Sequence, residues 1–233
     1  MAAVTFRGLD ARTGLIRWGL AAVAAGLVIG ATVPGVVDGL GAAWTGNRQA
    51  LVWLVERVLA FMAYFAIAGS VVYGLLLSTK ILDAIAHRPI SFTLHQDLSA
   101  IGIGLAAVHG MLLAIDTNVT FTITQVLVPG MAPYQPLAVA VGQVSLYLAG
   151  IVLASFYVRR HIGQRAWRTL HYLTFLAFAG STIHGIAAGS DTGTPWAQAI
   201  YLGAATITVF LLTYRIGMSV AERAERDGRR ALA

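Results

Sequence analysis

The stretch HQDLSAIGIGLAAVHG, residues 95–110, carries a histidine near each end and is almost wholly small or aliphatic from Leu98 to Val108. Apolar residues on every face are what a helix shows when lipid or protein surrounds it. Two imidazoles on such a helix are costly to keep without a partner or a use.

The rest of the chain reads the same way. Of 233 residues 58% are hydrophobic and 11% charged, and the mean hydropathy is +0.74. Soluble domains carry about a quarter charged residues. Runs long enough to cross a hydrocarbon layer extend from Trp18 to Val37, Leu51 to Leu77, Phe92 to Ile115, Leu137 to Val158, Trp167 to Ala188 and Trp196 to Tyr214. None alternates as barrel strands do, and backbone amides in lipid must be paired within their own segment. The expectation is an all-α, polytopic bundle of six transmembrane helices over 18–214, after an N-terminal segment 1–17 and before a charged tail 215–233. The first run is too long and glycine-rich for a signal-peptide core and is expected to stay as a helix.

A formal charge of +6 raises nucleic acid as a partner, but the charge positions point to topology instead. With six spans, Arg7, Arg12, Arg17, Lys80, Arg88, Arg159, Arg160, Arg165, Arg168, Arg215, Arg223, Arg226, Arg229 and Arg230 share one side, leaving only Arg48 and Arg57 on the other. Basic residues concentrate on the cytoplasmic side, so both termini are expected there, in a plasma or inner membrane. No cysteine is present, which removes disulfides and thiolate metal sites from this chain. No Walker loop, dinucleotide fingerprint or HExxH occurs, so neither a flavin nor a nicotinamide site is expected.

Between Asp116 and Pro136 lies an uncharged, proline-broken stretch, too apolar for a free loop. It is expected to lie along the interface and cover the outer mouth of the bundle.

Two of the six histidines, His87 and His161, fall in basic connections, where solvation explains them. The other four lie within spans. His95 and His109 sit on the third, His171 and His184 on the fifth, which runs the same way. At 1.5 Å per residue their separations are about 21 and about 20 Å, so the imidazoles form two pairs at two matched depths. Each level offers two facing imidazoles, the requirement of a haem with two axial ligands. Zinc would want further ligands near by, and none stands at i+3 or i+4. Gly102, seven residues from both His95 and His109, falls within about 20° of them on the helix face and leaves that face bare. Gly104, Gly110 and Gly185 thin the helices near the histidines. The spacing of His171 and His184 fits less well, since thirteen α-helical steps leave them on faces roughly 140° apart.

The pattern His95-x13-His109 and His171-x12-His184, within six spans with cytoplasmic termini, resembles the ferric reductase-like transmembrane domain. That family includes NADPH oxidases, ferric reductases and the haem-binding subunit of the periplasmic methionine sulfoxide reductase system. The resemblance covers roughly Leu51 to Tyr214. It implies two haem b groups, an inner one on His95 and His171 and an outer one on His109 and His184, with electrons passing outward. The family's longer members continue into a cytoplasmic FAD and NADPH domain, and this sequence stops soon after its sixth span. The implied donor is therefore a separate cytoplasmic flavoprotein reductase or membrane quinol, and the implied acceptor is ferric iron, dioxygen or a partner reductase.

Arg168, one turn before His171, is a candidate partner for an inner haem propionate. Arg57, beside Glu56 and level with His109, is a candidate for an outer propionate or an anionic acceptor, with a local pair to Glu56 as the plain alternative. Phe178, between the two histidines of its span, either separates the haems or fills core space. The competing function is a transporter using the four histidines for protons or a metal ion, which calls for acids along the path.

Overall fold

The computed structural model describes residues 41, 44, 46–79, 81, 88–116 and 119–231. The first expected span and the 1–17 segment lie outside the described residues. All regular structure among the described residues is helical. The elements are α1 (Arg48–Thr79), α2 (Arg88–Leu112), α3 (Ile123–Leu127), α4 (Pro136–Ile162), α5 (Gln164–His171), α6 (Leu173–Ala188) and α7 (Pro195–Ala231).

Helix ends follow local chemistry. Asn47 Oδ1 accepts from the Ala50 amide at the start of α1, and α4 opens on Pro136, whose missing N–H costs nothing in a first turn. Gly163, at φ +83°, ends α4 and starts α5; that left-handed turn suits glycine. Thr194 Oγ1 accepts from the Ala197 amide to cap α7.

Among the described residues, three helices are long and apolar enough to cross a membrane: Gln49–Thr79, Pro136–Ile162 and Pro195–Arg230. These are the second, fourth and sixth expected spans. The third, α2, has the length at 25 residues, but His95, Gln96, Asp97 and His109 lower its hydropathy. The fifth is interrupted, leaving α6 only 16 residues. The described spans that fall short are the expected third and fifth, which bear His95, His109, His171 and His184. The sixth span and the expected tail form a single helix, since α7 runs unbroken to Ala231.

Four helices form a ring. α1 packs on α2, α4 on α6, and the ring closes through lighter α2–α4 and α1–α6 contacts. α2 and α6 therefore stand on a diagonal, each flanked by α1 and α4. α7 packs outside on α1, through a cluster of Tyr64, Ala68, Phe178, Ala197 and Tyr201. Tyr64 stacks on Phe178 at 6.1 Å and meets Tyr201 edge-on at 5.0 Å. Phe178 is thus a core residue at the junction of α1, α6 and α7.

The 119–135 segment is ordered against the ends of α2 and α4. Thr122 and Gln125 form a reciprocal capping box for α3, and Phe121, Val126, Ala132 and Val139 share a core with Leu113, Ala114 and Val119. Gln143 Nε2, on α4, donates to the Gln125 and Val126 carbonyls at 2.8 and 2.7 Å, and Tyr147 donates to the Leu127 carbonyl.

Candidate functional site

The ring geometry brings the histidines of α2 to those of α5 and α6. His95 and His171 have ring centres 6.1 Å apart, with planes turned 72° to one another. His109 and His184 lie close enough for the charge of one to act on the other. The four imidazoles thus fall into two pairs, one between α2 and α5 and one between α2 and α6.

The interruption between α5 and α6 explains the awkward spacing. The Tyr172 amide bonds to the Thr169 carbonyl and the Phe175 amide to the Tyr172 carbonyl, both i to i−3 bonds. The His171 carbonyl, without its usual i+4 amide, accepts from Thr174 Oγ1 at 2.8 Å. Such a tightened turn advances about 120° per residue rather than 100°. Only Tyr172 separates the two helices, and each tightened step adds about 20°, which turns His171 and His184 toward a common face.

Three of the four histidines are held through Nδ1. His95 Nδ1 lies 2.9 Å from the Ser70 carbonyl and 3.1 Å from Ser70 Oγ; Ser70 Oγ in turn meets Ser99 Oγ at 2.6 Å. His109 Nδ1 lies 3.2 Å from the Glu56 carbonyl, and His184 Nδ1 is 2.9 Å from the Ala138 carbonyl. A carbonyl only accepts, so Nδ1 carries the proton in each bond. In the neutral ring that leaves the Nε2 lone pair free, which is how proteins prepare a histidine to bind a metal. His171 instead stacks near Trp167, ring centres 5.2 Å apart.

The spacing of one pair suits an ion held between two imidazoles. A metal–imidazole bond is about 2.0 Å, and the ring centre lies about 1 Å behind the nitrogen, so two imidazoles on opposite sides of one ion hold their centres about 6 Å apart. The His95–His171 distance has that value. No group of three or more His, Cys, Asp or Glu able to hold a metal ion occurs among the described residues.

One family model, described as a domain of unknown function (DUF8596), matches residues 51–191. The chain belongs to the DUF8596 family. No curated protein and no solved structure matches it. The DUF8596 match takes in α1 from Leu51, all four histidines and Asp191, and stops before α7.

The other expected site residues of this DUF8596 chain fare differently. Arg57 does not pair with its neighbour Glu56 and is not free for an anion. Its guanidinium makes a two-pronged bridge to the Asp191 carboxylate and lies 4.1 Å over the Trp53 ring. The partner is 134 residues away, so sequence adjacency misled. Glu56 instead has its carboxylate 4.0 Å from His109 Nδ1. Gly102 does not leave a bare face, because α1 fills it: a Cβ there would lie 2.8 Å from Ile67 Cγ1 and 3.0 Å from the Ile67 nitrogen. Its smallness serves helix packing. Gly185 likewise meets Tyr201, while Gly104 faces open space. Arg168 is exposed on α5, one turn from His171. The side chain of Arg88 lies outside the described residues.

Sequence reasoning missed the partners on α1 and α4. Ser70, Ala138 and the Glu56 backbone act through carbonyl oxygens, which no side-chain pattern announces. Gly74 and Gly142, packed against the rings of His95 and His184, carried a signal in being glycines on helices that flank the histidine helices.

Proposed function

We propose that this chain is a six-span membrane cytochrome of the b type, holding two haems and passing electrons from a cytoplasmic flavoprotein or a membrane quinol to an acceptor on the outer side. The observation that carries the reading is the two-level arrangement of His95 with His171 and His109 with His184 across the diagonal of a helix ring. The Nδ1 bonds of three of them to backbone carbonyls support it. The likeness to the ferric reductase-like domain points the same way.

In this reading His95 and His171 hold the inner haem and His109 and His184 the outer one. Held between two such histidines, a haem would supply one-electron chemistry without binding substrate. The chain supplies orientation, since carbonyls on α1 and α4 fix the tautomer and turn of three ligands. It supplies an apolar surround, and α7 closes one side of α1. Exposed Arg168, one turn before His171, would be the candidate partner for an inner propionate, and Arg57, engaged by Asp191, would not be needed for an outer one.

The transporter reading has one cluster in its favour, the Glu56 carboxylate beside His109 with Asp116 near enough to Glu56 to act on its charge. One experiment separates the two. Protein purified from haem-replete cells is examined by reduced-minus-oxidised absorbance, with haem counted per chain, for the natural sequence, His109→Ala and His171→Ala. Low-spin b-type bands with two haems per chain, falling to one or fewer in each variant, are expected. A colourless protein refutes the cytochrome.

A further inference from the structure

Three histidines share a feature of their neighbouring helix. His95 bonds to the carbonyl of Ser70, and four residues on is Gly74. His184 bonds to the carbonyl of Ala138, and four residues on is Gly142. His109 bonds to the carbonyl of Glu56, and four residues on is Ala60. In an α-helix the residue at i+4 is the one whose amide already bonds carbonyl i. A side chain there overhangs that carbonyl's second lone pair. A glycine opens a notch in which an imidazole can lie against the helix and donate to the same oxygen.

The distances grade with the notch. Both glycine-backed bonds are 2.9 Å, whereas the alanine-backed one is 3.2 Å. A Cβ on Gly142 would lie 2.6 Å from both Cγ and Nδ1 of His184, and one on Gly74 would lie 3.0 Å from Cε1 and 3.3 Å from Nδ1 of His95. The first demands that the ring move; the second demands a few tenths of an ångström.

We infer that Gly74 and Gly142 are positioning residues, each a notch that seats one histidine on a backbone carbonyl and so presents its Nε2 to the haem of that level. The seating follows from the contacts alone; the role toward haem rests on the proposed function. Because the acceptor is backbone, only the i+4 residue is open to substitution, and each notch governs its own level.

The test uses the full chain with Gly142→Ala, Gly74→Ala and, as control in the same helix as Gly142, Gly150→Ala, whose Cβ would meet nothing within 4 Å. Haem per chain, the low-spin electron paramagnetic resonance signals, and histidine nitrogen NMR of haem-free protein are read. Two haems are expected in the natural sequence and in Gly150→Ala. Gly142→Ala should fall twofold, to one haem, with one low-spin signal lost and the other unchanged. Gly74→Ala should keep its haem with a shifted low-spin signal at the His95 level alone. Two haems with unchanged signals in Gly142→Ala overturn the inference. If Gly142→Ala loses both haems, Gly74→Ala decides, and an unshifted signal there overturns it. If the natural protein carries no haem, the cytochrome reading fails, and the seating stands or falls on whether the protonated Nδ1 resonances of His95 and His184 are present and are displaced in the alanine variants.

Discussion

Replacing Asp191 with Asn tests what Arg57 is for. The two side chains are 14% and 13% exposed, so the bridge is largely shielded from water and from salt. Removing one charge from a buried pair typically costs about 3–5 kcal/mol, because the other is left uncompensated. Asn keeps the volume and one acceptor, and Arg57 keeps the Trp53 face beneath it, so the lower end applies, about 3 kcal/mol. In a chain of this size each kcal/mol moves the melting temperature by about 2–4 °C, giving a fall of about 6–12 °C. The assay is thermal unfolding in nanodiscs followed by tryptophan fluorescence, for Asp191→Asn, Arg57→Met and the double variant. Since the two residues touch, the double variant should recover about 2 kcal/mol relative to the sum of the singles. Haem content should stay unchanged in all three. A melting temperature unmoved in Asp191→Asn would refute the buried bridge. Loss of one haem in Arg57→Met but not in Asp191→Asn would make Arg57 a cofactor residue.

Further outcomes follow from other contacts. Gln143→Leu removes the two bonds that hold α3; with buried carbonyls left unpaired it should cost about 1–3 kcal/mol and speed amide exchange across 121–131, read by mass spectrometry. Tyr64→Phe deletes the hydroxyl contact to Thr182 at 3.1 Å while keeping the ring stack, so a loss of about 1 kcal/mol is expected in the same melting assay. Gly102→Leu drives a side chain into Ile67; overpacking costs about 1–3 kcal/mol, and by parting α1 from α2 it should lower haem occupancy at both levels together, whereas Gly104→Ala should leave both intact.

How much of this was legible in the sequence depends on what kind of atom does the work. The histidines announced themselves, because imidazoles on apolar helices are conspicuous and a rise of 1.5 Å per residue converts 95, 109, 171 and 184 directly into depths. The partners of those histidines were silent, since a carbonyl of Ser70 or Ala138 is the same oxygen at every position. The break after His171 was hidden for another reason. LHYLTFLA contains neither glycine nor proline to mark it, and the i−3 bonds at Tyr172 and Phe175 are visible only in the structure. The angular misfit of 140° was nonetheless a sequence-level sign that the helix could not be regular. Arg57 shows the opposite error, where the neighbour in sequence, Glu56, looked like the partner and Asp191, beyond five further helices, was.

The register of α1 against α2 ties these strands together. Glu56 and Ser70 are fourteen residues apart, as are His95 and His109, and the order is reversed: the earlier α1 residue serves the later histidine. An antiparallel pair of regular helices keeps such a match along its whole length, and Gly102, opposite Ile67 and midway between the histidines, lets the two backbones stay close at the centre. A shift of one turn, about 5.4 Å, would take both imidazoles off their carbonyls at once. α6 has no such template along α1. Its His184 is seated on α4, while His171, the last residue of α5, meets Trp167 and the His95 ring instead of a carbonyl. The α2 histidines are thus set as a pair by one rigid neighbour, while those of α5 and α6 are set separately, one by a carbonyl on α4 and the other by ring contacts.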